Sequence, residues 1–188
     1  MEKINVLFTS AGVASAVNVI KSLRLQSDIP VSVIAIDMDA LAPGLHLADF
    51  AYVSPEIKDF RKYLDFLIDV CRKHNIRALY PCYSREISAI AHAKTIFQKQ
   101  GVETLLPTSE VIDLCNDKRN FHEFAMGMNL RLPKCFEADK ILGIVEAEFP
   151  LFIKPVSGSS SIGAIKIENK RELTYDAFVK SHAAILSS

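Results

Sequence analysis

The stretch Val31 to Asp37, VSVIAID, constrains the fold most. It is short, almost continuously apolar and rich in β-branched residues. A strand with one wet face alternates apolar and polar residues. A strand without that alternation has to be covered on both sides, as in a parallel sheet. The neighbouring segments fit the same scheme. INVLFTS, Ile4 to Ser10, stops at Ala11-Gly12, and ASAVNVIKSL follows with Ala16, Val19, Ile20 and Leu23 on one helical face. FAYVSP, IRALYPC and VETLLP read as the third, fourth and fifth strands, the last ended by Pro107. Between them, DFRKYLDFLIDVCRKHN sets Phe60, Tyr63, Leu64, Leu67 and Cys71 at helical spacing. SREISAIAHAKTIFQKQG reads as one helix with Ile87, Ile90, Ala91, Lys94 and Phe97 in register, stopped by Gly101. Strand and helix alternating with short connections predict a doubly wound α/β domain over residues 1–108.

From residue 109 the pattern changes. TSEVIDLCNDKRNFHEFAMGMN reads as a helix pair, capped first by Thr108 or Ser109 and then by Asn116 or Asp117, and ended at Gly127 and Asn129. The strand candidates RLPKCFE, PLFIKP and GAIKIE follow, the last two joined by a Ser/Gly loop. A weak helix, KRELTYDAFVKS, and then HAAILSS complete a small α+β unit over residues 109–188.

Composition excludes several classes. Lys plus Arg is 22 and Asp plus Glu is 22, so the basic excess of a nucleic-acid binder is missing. No apolar run approaches the ~18 residues of a membrane span. The apolar stretch after Met1 runs straight into the first strand with no cleavage site, unlike a signal peptide. The cysteines, Cys71, Cys82, Cys115 and Cys135, are far apart, with no His at ligand spacing from any pair. They fit reduced thiols of a cytoplasmic protein and not a zinc site. No metal site is expected.

Candidate chemistry lies in two places. Open α/β sheets bind ligands at the carboxyl ends of their strands. Ser10 and Gly12 end the first strand, Asp37 ends the second, and Glu86 follows the fourth. TSAGVASA lacks the three glycines of a dinucleotide fingerprint, which disfavours a Rossmann oxidoreductase and leaves a tight turn or a site for a small anionic substrate. Asp37 can hold a substrate or cap a loop, and Glu86 can hold an amine or hydroxyl or simply favour a helix N-terminus. The second place is FPLFIKPVSGSSSIGAIKI. Lys154 ends an apolar strand, so its ammonium is aimed at one place. The Ser/Gly run after it offers backbone N–H groups and hydroxyls with little bulk, as polyphosphate binding requires. The lysine precedes the loop and a strand follows, so this is not a Walker A loop. A plain hairpin linker with an incidental lysine is the other reading.

Taken together, VLFTSAG, VIAIDMDALAPGLHLADFAYVSP, RALYPCYSREISAIA, LCNDKRNFHEFA and FPLFIKPVSGSSSIGAIKI resemble the ATP-grasp superfamily, nearest to proteins related to the large subunit of carbamoyl phosphate synthetase. The resemblance runs from residue 4 to about residue 180. Its most specific piece is K-P-x-x-G-x-x-S-x-G from Lys154 to Gly163, supported by Asp117-Lys118 and by APGLHLAD. It implies a pre-ATP-grasp, Rossmann-like domain followed by an incomplete ATP-grasp lid subdomain. It implies ATP as cofactor, contacted by Lys118, Lys154 and a loop comprising Ser157, Gly158, Ser159, Ser160, Ser161 and Gly163. It implies ligase chemistry in which ATP phosphorylates an acid and an amine displaces the phosphate.

The match has a departure. The family continues into a subdomain that carries magnesium ligands. Here the carboxylates after Gly163 are Glu168, Glu172 and Asp176, not in an E-x-N arrangement, and HAAILSS resembles the start of the adenine-side strand. The expectation is therefore a truncated member holding half an active site, inactive alone, with magnesium expected for the family but its ligands absent. A non-catalytic module that binds nucleotide, or a complementing chain, is the alternative. A homo-oligomer is left open, as are the acid and amine substrates. Nucleic acid and membrane partners are not expected.

Overall fold

The computed structural model describes residues 3–137, 149–158, 161–169, 172 and 183–187, the last five as backbone. The chain divides into two compact units, Met1–Ile112 and Asp113–Ser188.

The first unit is an α/β domain around a five-stranded sheet. Its elements are β1 (Ile4–Phe8), α1 (Ala14–Leu25), β2 (Val31–Asp37), a 3-10 turn (Pro43–Leu47), β3 (Phe50–Val53), α2 (Phe60–Lys73), β4 (Ala78–Tyr80), α3 (Ser84–His92), α4 (Lys94–Gln98) and β5 (Glu103–Thr104). The strand order is β3-β2-β1-β4-β5 and every pairing is parallel. Connections run outward on either side of β1, so the order reverses between β1 and β4, where α/β sheets place their ligand crevice. β2 is buried from Ser32 to Ile36, as its unbroken apolar run requires. Ile34 and Ile36 join Leu7, Leu67, Leu79, Ile90 and Phe97 in one core, while Val33 joins Val6, Phe8 and Ile20 in another. Full burial of each such side chain is worth about 1.5–3 kcal/mol.

Two details depart from the sequence pattern. The single helix expected from Ser84 is two, because Ala93 adopts φ −88° and ψ 4° and caps one while opening the next. Beyond the break, Lys94 turns its ammonium to the Leu106 carbonyl at 2.9 Å and to Glu103 at 3.4 Å instead of joining the core. The fifth strand is only Glu103–Thr104, because Leu106 N–H turns back to the Thr104 carbonyl at 2.7 Å and leaves the ladder.

In the second unit, α5 (Ser109–Asn116, which begins in the first unit) is followed by α6 (Lys118–Gly127), β6 (Cys135–Glu137), β7 (Leu151–Pro155), β8 (Ile165–Ile167) and β9 (Ala183–Ser187). The sheet order is β6-β9-β7-β8, antiparallel throughout. Leu151 and Ile153 are fully buried while Phe152 between them is 39% exposed, the alternation of a sheet with one covered face. Ala183–Ser187 thus supplies a central strand. The weak helix expected over KRELTYDAFVKS lies, Glu172 apart, outside the described residues.

Candidate functional site

In the first unit, Ser10, Gly12, Asp37 and Glu86 lie at the carboxyl ends of the strands, and both carboxylates accept from protein donors. Asp37 accepts from Gly12 N–H at 2.7 Å and from Asp39 N–H at 2.9 Å. Its carboxylate therefore takes up the Gly12 N–H of the β1–α1 turn, while the start of α1 has no side-chain cap. Ser10 sits at φ 47°, an uncommon conformation for a non-glycine residue and a mark of strain. The turn is hemmed in from the far side as well. Gly44 N–H donates to the Ala11 carbonyl at 3.1 Å, and a Cβ on Gly44 would lie 2.2 Å from that oxygen. This gives the APGLHLAD segment a structural reason. Its last residue, Asp49, accepts from Val33 N–H at 2.7 Å and pairs with Arg24 at 3.0 Å.

Glu86 is 1% exposed. It accepts from Thr9 Oγ1 at 2.7 Å, from Tyr83 N–H at 3.2 Å and from the Tyr63 hydroxyl. The bond to Tyr83 closes the N-terminus of α3 as a capping box does. Burial, and then the Glu86 charge, raises the Tyr63 hydroxyl well above the usual phenol range. Thr9 and Tyr63 were not singled out from the sequence as polar partners. The available signal was a tyrosine on an apolar helix face, whose hydroxyl has to find a partner once buried. Beside this network, burial and then Glu86 push the Cys82 thiol up to about 12, away from the reactive thiolate form.

In the second unit, Asp117 caps α6, accepting from Arg119 and Asn120 N–H at 2.9 Å each. Lys118 is the next residue. Its N–H donates to the Val156 carbonyl at 3.0 Å, and its ammonium lies 3.4 Å from that carbonyl and 3.1 Å from the Gly158 carbonyl. Lys154, on β7, lines one pocket of about 200 Å³ together with Lys118. Phe121, Leu132 and Pro133 give that pocket apolar walls, and His122, Cys115 and Cys135 complete it. A wider pocket of about 550 Å³ on the Arg119, Glu123 and Met126 side of α6 includes neither lysine.

The loop after Lys154 shows why its glycines stand where they do. Gly158 has φ +123° and Gly163 φ +79°, conformations open to glycine. A Cβ on Gly163 would also meet the Pro155 ring at 2.9 Å, so the proline and last glycine of the motif fit against each other. Ser157 and Ser161 are exposed, and Ser161 lies at φ +57°. Ser159 and Ser160 lie outside the described residues. Among the described residues, no group of three or more His, Cys, Asp or Glu could hold a metal ion. Glu172 is taken up by Glu168 N–H at 2.9 Å and Asn169 Nδ2 at 2.7 Å, and Glu168 pairs with Lys166 at 2.6 Å.

The geometry has counterparts among solved proteins. An L-amino acid ligase from Bacillus licheniformis is 14% identical, with a TM-score of 0.67 over 97% of this chain and 43% of its own. The N5-carboxyaminoimidazole synthetase of Staphylococcus aureus, solved with ADP, is 13% identical, with a TM-score of 0.68 over 98% and 46%. The biotin carboxylase domain of the Hydrogenobacter thermophilus 2-oxoglutarate carboxylase, solved as a dimer with MgADP, ADP and bicarbonate, is 20% identical, with a TM-score of 0.65 over 97% and 43%. These likenesses show a shared fold, and the chain spans less than half the length of each of the three. Among curated proteins none matches the sequence. The profile of the PylC-like N-terminal domain, however, covers residues 6–105, the parallel sheet apart from the first two residues of β1. The chain therefore belongs to the PylC-like N-terminal domain family of the ATP-grasp proteins.

Proposed function

We propose that this chain is the N-terminal part of an ATP-dependent carboxylate–amine ligase, and that its second unit takes the phosphate end of ATP. The observation that carries this reading is the convergence of Lys118 and Lys154 on one pocket with apolar walls. Two cations beside glycine-bent backbone suit a polyphosphate. The pocket is smaller than the ~300–1,000 Å³ that encloses a drug-sized ligand, so it would hold one end of a nucleotide. ATP in such enzymes supplies a phosphoryl group that turns a carboxylate into an acyl phosphate. The role of this chain's own residues is to offset phosphate charge from Lys118 and Lys154 and to present loop amides. Among the described residues, no cluster of carboxylates could hold magnesium. The sequence motifs resemble proteins related to the large subunit of carbamoyl phosphate synthetase, the solved neighbours include an amino acid ligase and carboxylases, and the acid and amine substrates stay open. The four free cysteines agree with a reducing, cytoplasmic location.

A titration of the 188-residue chain with a fluorescent ATP analogue tests the reading. The wild type should saturate, and Lys154→Ala should bind at least tenfold more weakly, since a charge-assisted contact is worth about 1.5–3 kcal/mol. Equal curves for the two proteins would remove Lys154 from the site.

One observation favours the alternative of a partner-binding module. Phe121, Phe124, Met126, Met128 and Leu130, on and just after α6, are 44–61% exposed. An apolar patch of this kind is often an interface. Sedimentation velocity at micromolar concentration should then show self-association or capture of a complementing chain. A clean monomer that binds nucleotide leaves the ligase reading in sole possession.

A further inference from the structure

The sequence resemblance makes Lys118 a nucleotide contact, yet in this structure its ammonium faces peptide oxygens. It lies 3.1 Å from the Gly158 carbonyl and 3.4 Å from the Val156 carbonyl. The backbone around it is arranged for this. Asp117 satisfies the N–H groups of Arg119 and Asn120, which leaves the Lys118 N–H to the Val156 carbonyl at 3.0 Å. The start of α6 is thereby fastened to the end of β7 by main chain, and the side chain reaches two residues further along. What it reaches is the carbonyl of Gly158, whose φ of +123° is open to glycine and bends the chain there.

We propose that Lys118 is a positioning residue for the Ser/Gly loop, its ammonium gathering the Val156 and Gly158 carbonyls and setting the entry to the loop before any nucleotide arrives. The consequence for function rests on the nucleotide reading above. Phosphate oxygens would compete with those carbonyls for the same ammonium, so nucleotide occupancy and loop geometry are coupled through one side chain. Lys118→Met should then weaken a nucleotide twice over, through lost charge and through lost preorganisation.

The test needs no nucleotide. The full chain is digested with a nonspecific protease under native conditions, and the rate of cleavage between Val156 and Ala164 is followed by mass spectrometry. Local opening governs such cleavage. Lys118→Met should be cut there roughly three- to tenfold faster than wild type, a modest factor because the contact is partly exposed. Lys118→Arg, which keeps the charge and the donors, should stay near the wild-type rate. Three results would each overturn the proposal: an unchanged rate in Lys118→Met, an equally fast rate in Lys118→Arg, or acceleration spread evenly over β7 and α6 as well. A separate arm adds ATP to the wild type. Failure of ATP to alter the cleavage pattern would count against the nucleotide reading and leave the result on Lys118 standing.

Discussion

The two units treat their polar side chains in opposite ways. At the sheet edge of the first unit, Asp37 and Glu86 are acceptors whose oxygens are engaged by Gly12, Asp39, Thr9, Tyr63 and Tyr83. In the second unit, Lys118 and Lys154 are cations lining an open pocket, one of them holding only carbonyls. A carboxylate already engaged by protein donors serves the fold first. A partly exposed ammonium on neutral acceptors can exchange them for a better anion. The comparison teaches that the position of a residue at a strand end does not by itself make it a ligand contact. The number of protein partners it already has decides how much it can offer a substrate.

Three measurements would break or sharpen this contrast. The largest effect is expected from Glu86→Ala. It leaves the Thr9 and Tyr63 hydroxyls buried without their acceptor, at about 1–3 kcal/mol each, and opens the cap of α3. Urea unfolding should show a loss of about 4 kcal/mol, and a loss under 1 kcal/mol would mean that the carboxylate is free for a ligand after all. The next concerns Asp49. Burial alone would raise its carboxyl, but the Val33 N–H and the Arg24 guanidinium outweigh that and hold it below the usual carboxylate range. Its folded value is depressed, so its contribution is present above the unfolded value of about 3.9 and is lost as pH falls through the lower folded value. Between about pH 6 and pH 3 the wild type should lose roughly 1 kcal/mol more than Asp49→Asn. Parallel losses in the two proteins would show that the Asp49 bonds add nothing. The smallest stability effect belongs to Lys154→Ala, a half-buried side chain whose loss is expected to cost within about 0.5 kcal/mol, alongside its loss of nucleotide affinity. A large drop in its urea midpoint would place Lys154 with Glu86 among structural residues.

The sequence carried much of the fold because its signals were local. The unbroken run VSVIAID is buried throughout its interior, and the helix starting at Lys118 is capped by Asp117, one of the two residues the sequence offered for that place. The glycines of the lysine loop stand at positive φ, as a bend of that kind demands. The candidate site was legible as a set of names more than as a set of roles. Asp37 and Glu86 read equally as ligand contacts or caps, since composition does not reveal which donors arrive from elsewhere. Lys94 read as part of an apolar face because spacing counts positions and ignores where a long side chain ends.

What the sequence by itself determined is therefore the periodicity: which segments are strands, which faces are apolar, and where glycine is needed. Those properties arise within a few residues of chain. Tertiary structure alone decided what the polar groups do. Glu86 meets a donor 77 residues away and another 23 away, and Lys118 meets carbonyls 38 and 40 residues away. A hydrogen bond or charge contact acts over a few ångströms of space, whatever the separation along the chain, so only the folded arrangement fixes its partners.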